Sequence, residues 1–529
     1  MSGTKIAFTF PSKNLLLKPT TDEMEYAPLL GASRACVKTL LSCETFYAGG
    51  ESGSSMNHRV GLDRSQTLLF PETLDDYVAA DNPVRFLDAF VGSLDLRVLG
   101  FAKAQCANTG RPPYDPAILL KLYLYGYLHR LRSSRGLEAE CQRNVELIWL
   151  LGKLAPDFKT IADFRKDNLQ AIKAVSRQFT LLCRKLELFG GELLAIDGSK
   201  FRAVNSRDQN FSADKLKELI THTDARLAEY FKTLEEADAA GPEAPAVDPV
   251  ALQQKIAALQ DKRDWHEELL AQLDEEDKQI SVTDPDTRRM HTGNGNVVGY
   301  NAQLAVDAKN KLIAAEDVTN DVTDYRQLAD LALAAKENLG VKQADVVADK
   351  GYYNASEVGR CVEKGMTPFI PKADTSANTQ QGLFGKSKFR YDAQKNVYRC
   401  PGNQELTYRF STHELGRDIH YYRATHCNTC ALKKQCTRNK GNRTITREDN
   451  EHLMEAMAER MKAQPEKFKL RKTLAEHPFG TLKRFFGYTH FLLKGLVKVR
   501  TEWSLITLAY NLKRVLNLVS FEKLMAVVA

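Results

Sequence analysis

The stretch Leu193-Leu194-Ala195-Ile196-Asp197 decides the fold. Four apolar residues in a row, too short for a helix, suit a buried strand, and the run ends on an acid. Val346-Val347-Ala348-Asp349 repeats the arrangement, its aspartate lying 152 residues after the first. An aspartate at the carboxyl end of a buried strand is costly unless its charge is compensated. Two such acids can converge at one sheet edge, where a divalent cation held by carboxylate oxygens supplies the missing charge. Asp197 and Asp349 are therefore the first candidate site residues.

Working outward, the pattern predicts an α/β core from about residue 191. Val298, Tyr300, Ala302, Leu304 and Val306 alternate with Gly299, Asn301, Gln303 and Asp307, as in a half-buried strand. Leu312 to Val318 can pair with it across the turn at Lys309-Asn310. Asn354 with Glu357 resembles a capping box for a helix that Gly365 stops, and Thr367 to Pro371 reads as a further strand. Residues 212–239 and 249–280 read as two charged helices separated by Gly241-Pro242-Glu243-Ala244-Pro245. They suit an antiparallel hairpin projecting from the core, for dimerisation, for DNA contact or as a solvated spacer.

Upstream, residues 56–190 are helical. Asp115-Pro116 makes a helix start, followed by Ile118, Leu119, Leu122, Tyr125 and Leu128 at helical spacing. After Ser133-Ser134 a second helix carries Arg135, Glu138, Gln142 and Arg143. The pair is compatible with helix-turn-helix DNA binding and equally with a plain packing unit. Residues 1–55 lack periodicity and read as a flexible leader, or as sequence upstream of a true start at Met56.

The composition, 43% hydrophobic and 27% charged, is that of a globular chain. No apolar run reaches transmembrane length and residues 1–30 lack a secretory signal, so a cytoplasmic location is expected. The net charge of +7 is unevenly spread. Residues 460–500 hold eleven Lys or Arg against two Glu, and residues 431–447 hold six against no acid. Positive charge concentrated around a candidate site suits a polyanion such as DNA.

Ten cysteines in a cytoplasmic chain do not read as a disulfide framework. Six are scattered; Cys400, Cys427, Cys430 and Cys436 cluster. Cys427 and Cys430 make a tight ligand pair, and a tetrahedral Cys₄ zinc site would hold residues 385–445, where apolar content is too low for an independent core. The competing reading is four reduced thiols in a basic, loop-rich insert.

A third acid, Glu476, lies in the basic stretch Leu474 to Arg484, with Lys483 two helical turns later if the segment is helical. On its own it could simply pair with Arg471 or Lys472. Its order and neighbours add more. Asp197-Gly198-Ser199-Lys200, then Ala348-Asp349-Lys350-Gly351-Tyr352, then Glu476-His477-Pro478-Phe479-Gly480 with Lys483 resemble insertion-sequence DDE transposases. The closest type is IS-eleven-eighty-two, related to IS-four and IS-five. The resemblance runs from about Asn57 to Asn517. It includes Arg111-Pro112-Pro113-Tyr114-Asp115-Pro116, Thr160 to Arg165, and Thr283-Asp284-Pro285-Asp286 with Gly299-Tyr300-Asn301-Ala302-Gln303.

That resemblance implies an RNase H-like core, a mixed sheet with helices, and two catalytic Mg²⁺ ions replaceable by Mn²⁺. It implies that Asp197, Asp349 and Glu476 hold them. The implied partners are double-stranded DNA, as element ends and target, and a second copy of the chain in a synaptic homodimer. The implied reaction is cleavage at terminal inverted repeats and joining by a DNA 3′-OH. Lys483, Arg484, Lys200, Lys350, Arg135 and Arg143 are the candidate DNA-contacting residues. The layout expected is a helical DNA-binding domain over 56–190 and a first core part over 191–372, interrupted by the hairpin at 212–280. A Cys-rich insert over 373–450 and a last core part over 451–529 complete it. The family's Arg four residues before the Glu, and its Tyr three before that, are Lys472 and Lys469 here. A nuclease without strand joining and an inactive DNA-binding derivative are the alternatives.

Overall fold

The structure, a computed structural model, describes residues 72–529 apart from 106–111, 206, 241–247, 274–278, 294, 373–376 and 415–416. The expected leader over 1–55, Arg111 and the Gly241 to Pro245 separator lie outside the described residues.

Six helices open the described chain: α1 Pro83–Gly92, α2 Pro116–Leu128, α3 Ser134–Arg143, α4 Val145–Leu150, α5 Phe158–Asp167 and α6 Leu169–Lys185. Asp115 caps α2 by accepting from the Ala117 amide at 2.8 Å, with Pro116 in the first turn where its missing N–H costs nothing. Yet α2 is no surface helix. Leu119, Leu120 and every residue from Leu122 to Tyr127 are buried, so it is covered on all sides.

β1 spans Leu193–Arg202, past the expected end at Asp197. The reason lies in its two neighbours. Its parallel partner leaves after pairing Ala195 with Val347, whereas its antiparallel partner continues to Arg202 opposite Gly299. After β1 the chain forms β2 Asn210–Ser212, the long helices α7 Ala213–Ala240 and α8 Pro249–Ala271, and β3 Gln279–Ser281, which pairs with β2. The two helices pack through Leu227, Leu252 and Ile256. α8 stops short of the residue 280 expected.

The central sheet is completed by β4 Arg288–Thr292, β5 Gly295–Asp307, β6 Ile313–Thr319, β7 Ala344–Val347 and β8 Met366–Phe369, with α9 Leu328–Leu339 and α10 Ala355–Glu363 between strands. The order is β4-β5-β1-β7-β8, and β6 pairs with the second half of β5. β1, β7 and β8 run parallel; β5 and β6 run antiparallel to their neighbours. β5 is not half-buried as its alternation suggested. From Gly299 to Asp307 both faces are covered, and on the polar face the Asn301 and Gln303 amides donate to Asp324. The capping box also differs: Asn354 caps α10 through the Ser356 amide, but Glu357 is buried and accepts from the Ala329 amide of α9.

Residues 377–448 form α11 Ala377–Gln380, α12 Lys433–Cys436 and five short strands, β9 Arg390–Asp392, β10 Val397–Arg399, β11 Glu405–Glu414, β12 Arg417–Arg423 and β13 Thr444–Glu448. The strands make one antiparallel sheet, ordered β13-β12-β11-β10-β9. The expectation of no core here is corrected: Phe389, Tyr398, Leu406, Tyr422, Ala424 and Ile445 are buried together. Tyrosines supply the area that aliphatics lack, and the Arg447 guanidinium lies 3.8 Å from the Tyr391 ring centre.

Four helices close the chain: α13 Glu451–Ala463, α14 Pro465–Gly480, α15 Leu496–Leu518 and α16 Phe521–Val528. α15 is buried almost continuously from Thr501 to Leu512 and packs against α2, α6 and β6. The Thr283 to Asp286 motif serves this helix. Buried Asp284 accepts from the Tyr300 hydroxyl (2.8 Å) and the Gly495 amide (3.1 Å), and Asp286 accepts from the Leu496 amide (2.7 Å).

Candidate active site

Asp197 lies on β1 two residues beyond Ala195, and Asp349 follows β7 two residues beyond Val347. Because Ala195 and Val347 are partners in the parallel ladder, the two aspartates leave adjacent strands at the same level. They sit at the carboxyl end of a central strand pair, inside the sheet rather than at its outer edge. Asp197 accepts from the Gly198 amide at 3.0 Å, and Asp349 caps a short 3₁₀ turn by accepting from Gly351 at 2.7 Å. Burial pushes the Asp197 carboxyl up to about 6; the Arg471 guanidinium opposes this, and the negative charges of Asp349 and Asp324 add to it.

α14 packs on the two strands through the residues just before the third candidate. Leu474 and Ala475 share one buried cluster with Ala195 and Val347, the residues two before each aspartate. Glu476, the next residue, is exposed and has no hydrogen bond or ion pair among the described residues. The pairing of Glu476 with Arg471 weighed from sequence does not occur. Arg471 lies a different way around the helix and sits 3.6 Å from Asp197 Oδ2.

Beyond Glu476 the helix changes register. Pro478 lies inside α14 without an N–H to donate, and Thr481–Phe485 form a π turn. Lys483 on that turn donates to Ser199 Oγ at 2.6 Å and to the Lys200 carbonyl at 3.2 Å, over the Phe201 ring. Desolvation holds its ammonium below the usual lysine range. Arg484 and Lys350 are exposed. Lys200 is engaged by Asp324 at 3.1 Å and largely covered. On α3, Arg135 stacks over Phe158 and Arg143 pairs with Glu140, both arginines being exposed.

Asp324, in the loop between β6 and α9, is the residue that sequence reading missed, together with its amide donors Asn301 and Gln303. The signals were present: a strand followed closely by Asp321 and Asp324, and the carboxamides Asn301 and Gln303 set among Tyr300, Ala302 and Leu304.

The four clustered cysteines line one cavity of about 20 Å³ with Phe384, Leu406 and Leu432. Cys400 Sγ accepts from the Gln404 amide and Cys427 Sγ from the Arg443 amide, each at 3.3 Å. Cys141, Cys183 and Cys361 are buried singly. Among the described residues no group of three or more His, Cys, Asp or Glu side chains stands ready to hold a metal ion. No helix among them is long and apolar enough to cross a membrane.

Residues 72–167 match the family model described as a transposase domain (DUF772), and residues 399–516 match the transposase DDE domain. The class supported is that of a DDE transposase. None of the curated proteins compared matches the chain. Among solved structures, the cryo-EM piggyBac transposase synaptic complex with hairpin DNA aligns over 84% of this chain and 79% of that one, at 8% identity and a TM-score of 0.28. Nothing below rests on that alignment.

Proposed function

We propose that the chain is an insertion-sequence transposase of the IS-eleven-eighty-two type. In this reading it binds the terminal inverted repeats of its element, cleaves the DNA and joins the 3′-OH ends to a target. The carrying observation is the register that sets Asp197 level with Asp349, with the turn bearing Glu476 packed on the strands beneath them. The strand order, three antiparallel members followed by two parallel ones, supports an RNase H-like core. Both transposase family matches agree with the reading.

The acids suit hard divalent cations. A buried carboxyl pushed up to about 6 beside two further aspartates is a site short of positive charge, and carboxylate oxygens are the donors that Mg²⁺ and Mn²⁺ prefer. Two such ions would activate an attacking oxygen and stabilise a leaving one during in-line phosphoryl transfer. Asp197, Asp349 and Glu476 would hold them. Lys483, braced on Ser199, would fix a DNA phosphate beside the acids, and exposed Arg484 and Lys350 would extend the contact. Arg135 and Arg143, on the exposed side of α3, would meet the terminal repeat.

Two copies of the chain would pair two element ends. A structural zinc ion is the second proposal: the four thiols face one cavity, and zinc would draw them into a tetrahedron.

The test is incubation with DNA carrying the element's ends, a target plasmid and Mg²⁺. Joined products are expected, and hydrolysed ends alone would favour the nuclease. Asp197→Asn, Asp349→Asn and Glu476→Gln should each reduce cleavage by at least about a hundredfold. Cleavage unchanged in all three would rule out the site.

A further inference from the structure

Behind Asp197, on the opposite face of β1, the register sets Gly198 against Gln303 and Lys200 against Asn301. Strand alternation gives these four residues one face and leaves Asp197 and Ser199 on the other. Asp324 reaches into the first face. Its Oδ1 accepts from Asn301 Nδ2 (2.7 Å), Gln303 Nε2 (2.8 Å) and Lys200 Nζ (3.1 Å). The Tyr352 hydroxyl in turn donates to Gln303 Oε1, which fixes that amide's orientation. A side chain at 198 would push this cluster apart: a Cβ there would fall 2.6 Å from Asp324 Oδ1 and 3.0 Å from Asn301 Oδ1, and closer still to Gln303 Nε2. Asp324 Oδ2 receives no hydrogen bond among the described residues. It lies, with Asp349 Oδ1, within 4 Å of the point where a Cβ on Gly351 would stand.

We propose that Asp324 is a positioning residue that keeps the Lys200 ammonium on the rear face of the sheet, so that Asp349, and Asp197 with Arg471 already 3.6 Å away, take on no further protein cation in place of divalent ions. Lys200 is the problem that the arrangement solves. It sits on the same strand only three residues from Asp197, on a flexible stem able to swing an ammonium towards either aspartate. An ammonium that settled there would satisfy the carboxylates and compete with a cation. Asp324 prevents this by offering a carboxylate already set by two buried amides, so Lys200 meets a fixed partner on the rear face. The inference rests on the reading of Asp197 and Asp349 as a cation centre.

The test is Mn²⁺ uptake by the full chain without DNA, followed by the spin-resonance signal of free Mn²⁺. Asp324→Asn should weaken uptake about tenfold, a loss of roughly 1.4 kcal/mol. Adding Lys200→Met to Asp324→Asn should restore uptake to near the wild-type level, and Lys200→Met alone should bind as well as wild type or better. Unchanged uptake in Asp324→Asn, or a double variant as weak as the single, would overturn the proposal. So would weakened uptake in Lys200→Met alone, because a plain strut is broken equally from either end. If the wild-type chain takes up no Mn²⁺, or Asp197→Asn takes it up normally, the cation-centre reading itself fails and this inference with it.

Discussion

Arg471 on α14 lies 3.6 Å from Asp197 on β1, so the basic helix reaches the first aspartate rather than its own glutamate. The guanidinium only partly offsets the burial of that carboxyl, which remains pushed up to about 6. An acid that a cation would need ionised is thus one that burial disfavours in that form.

The consequence for stability has a definite sign. In an unfolded chain Asp197 would ionise near the ordinary carboxylate value of about 3.9. With its folded value raised, it favours the fold below pH 4 and loses that contribution as pH rises through 6. Asp197→Asn should therefore stabilise the metal-free protein by roughly 1–3 kcal/mol at pH 7.5 and hardly at all at pH 4. Urea unfolding at the two pH values measures this, and an equal gain at both would rule out burial as the cause.

Lys483 should show itself through salt. Lys483→Gln removes one cation braced against β1 beside Asp197. The slope of log affinity for end DNA against log salt should become shallower by about 0.9, one phosphate contact. An unchanged slope with weakened binding would mean that Lys483 only supports Ser199.

A buried ion pair joins the early helices to the last long one. Glu502 on α15 is fully buried, accepts from the Leu492 and Leu493 amides, and pairs with Arg132 at 3.3 Å. Arg132→Met should cost about 3–5 kcal/mol by leaving that carboxylate without its cation. Adding Glu502→Gln should recover much of the loss. Denaturation midpoints of the three proteins check this, and additive losses would contradict it.

If zinc fills the cysteine cavity, elemental analysis of freshly purified protein should find one ion per chain. Cys427→Ser with Cys430→Ser should lose it and open residues 385–445 to protease. Zinc-free protein with the same protease resistance would leave four ordinary thiols.

Much of this was readable in the residues. Asp197 and Asp349 were found from short apolar runs, because a strand covered on both faces has no alternative composition. The α2 start was written in Asp115-Pro116, since capping is a local matter. What escaped was non-local. Nothing in Leu193 to Asp197 says that β5 will continue beside β1 for seven residues after its last pairing with β7. Arg471 read as a simple partner for Glu476, and only the packing of Leu474 and Ala475 turns it towards Asp197. Asp324 lies 127 residues from Asp197 in the chain, and its amide partners read as solvent-facing until β1 and β5 are paired. Tyrosine-rich strands looked too polar for a core because the hydroxyl hides how much ring area each side chain buries.

α15 lies between the early helices and the sheet, yet it is among the last segments to be made. A ribosome must therefore make the early helices, the whole sheet and α14 before that helix can slot into place. Chains terminated before α14 would carry both strand acids without the helix that packs beside them. The direction of translation therefore makes the surroundings of the two aspartates one of the last parts of the described fold to be completed.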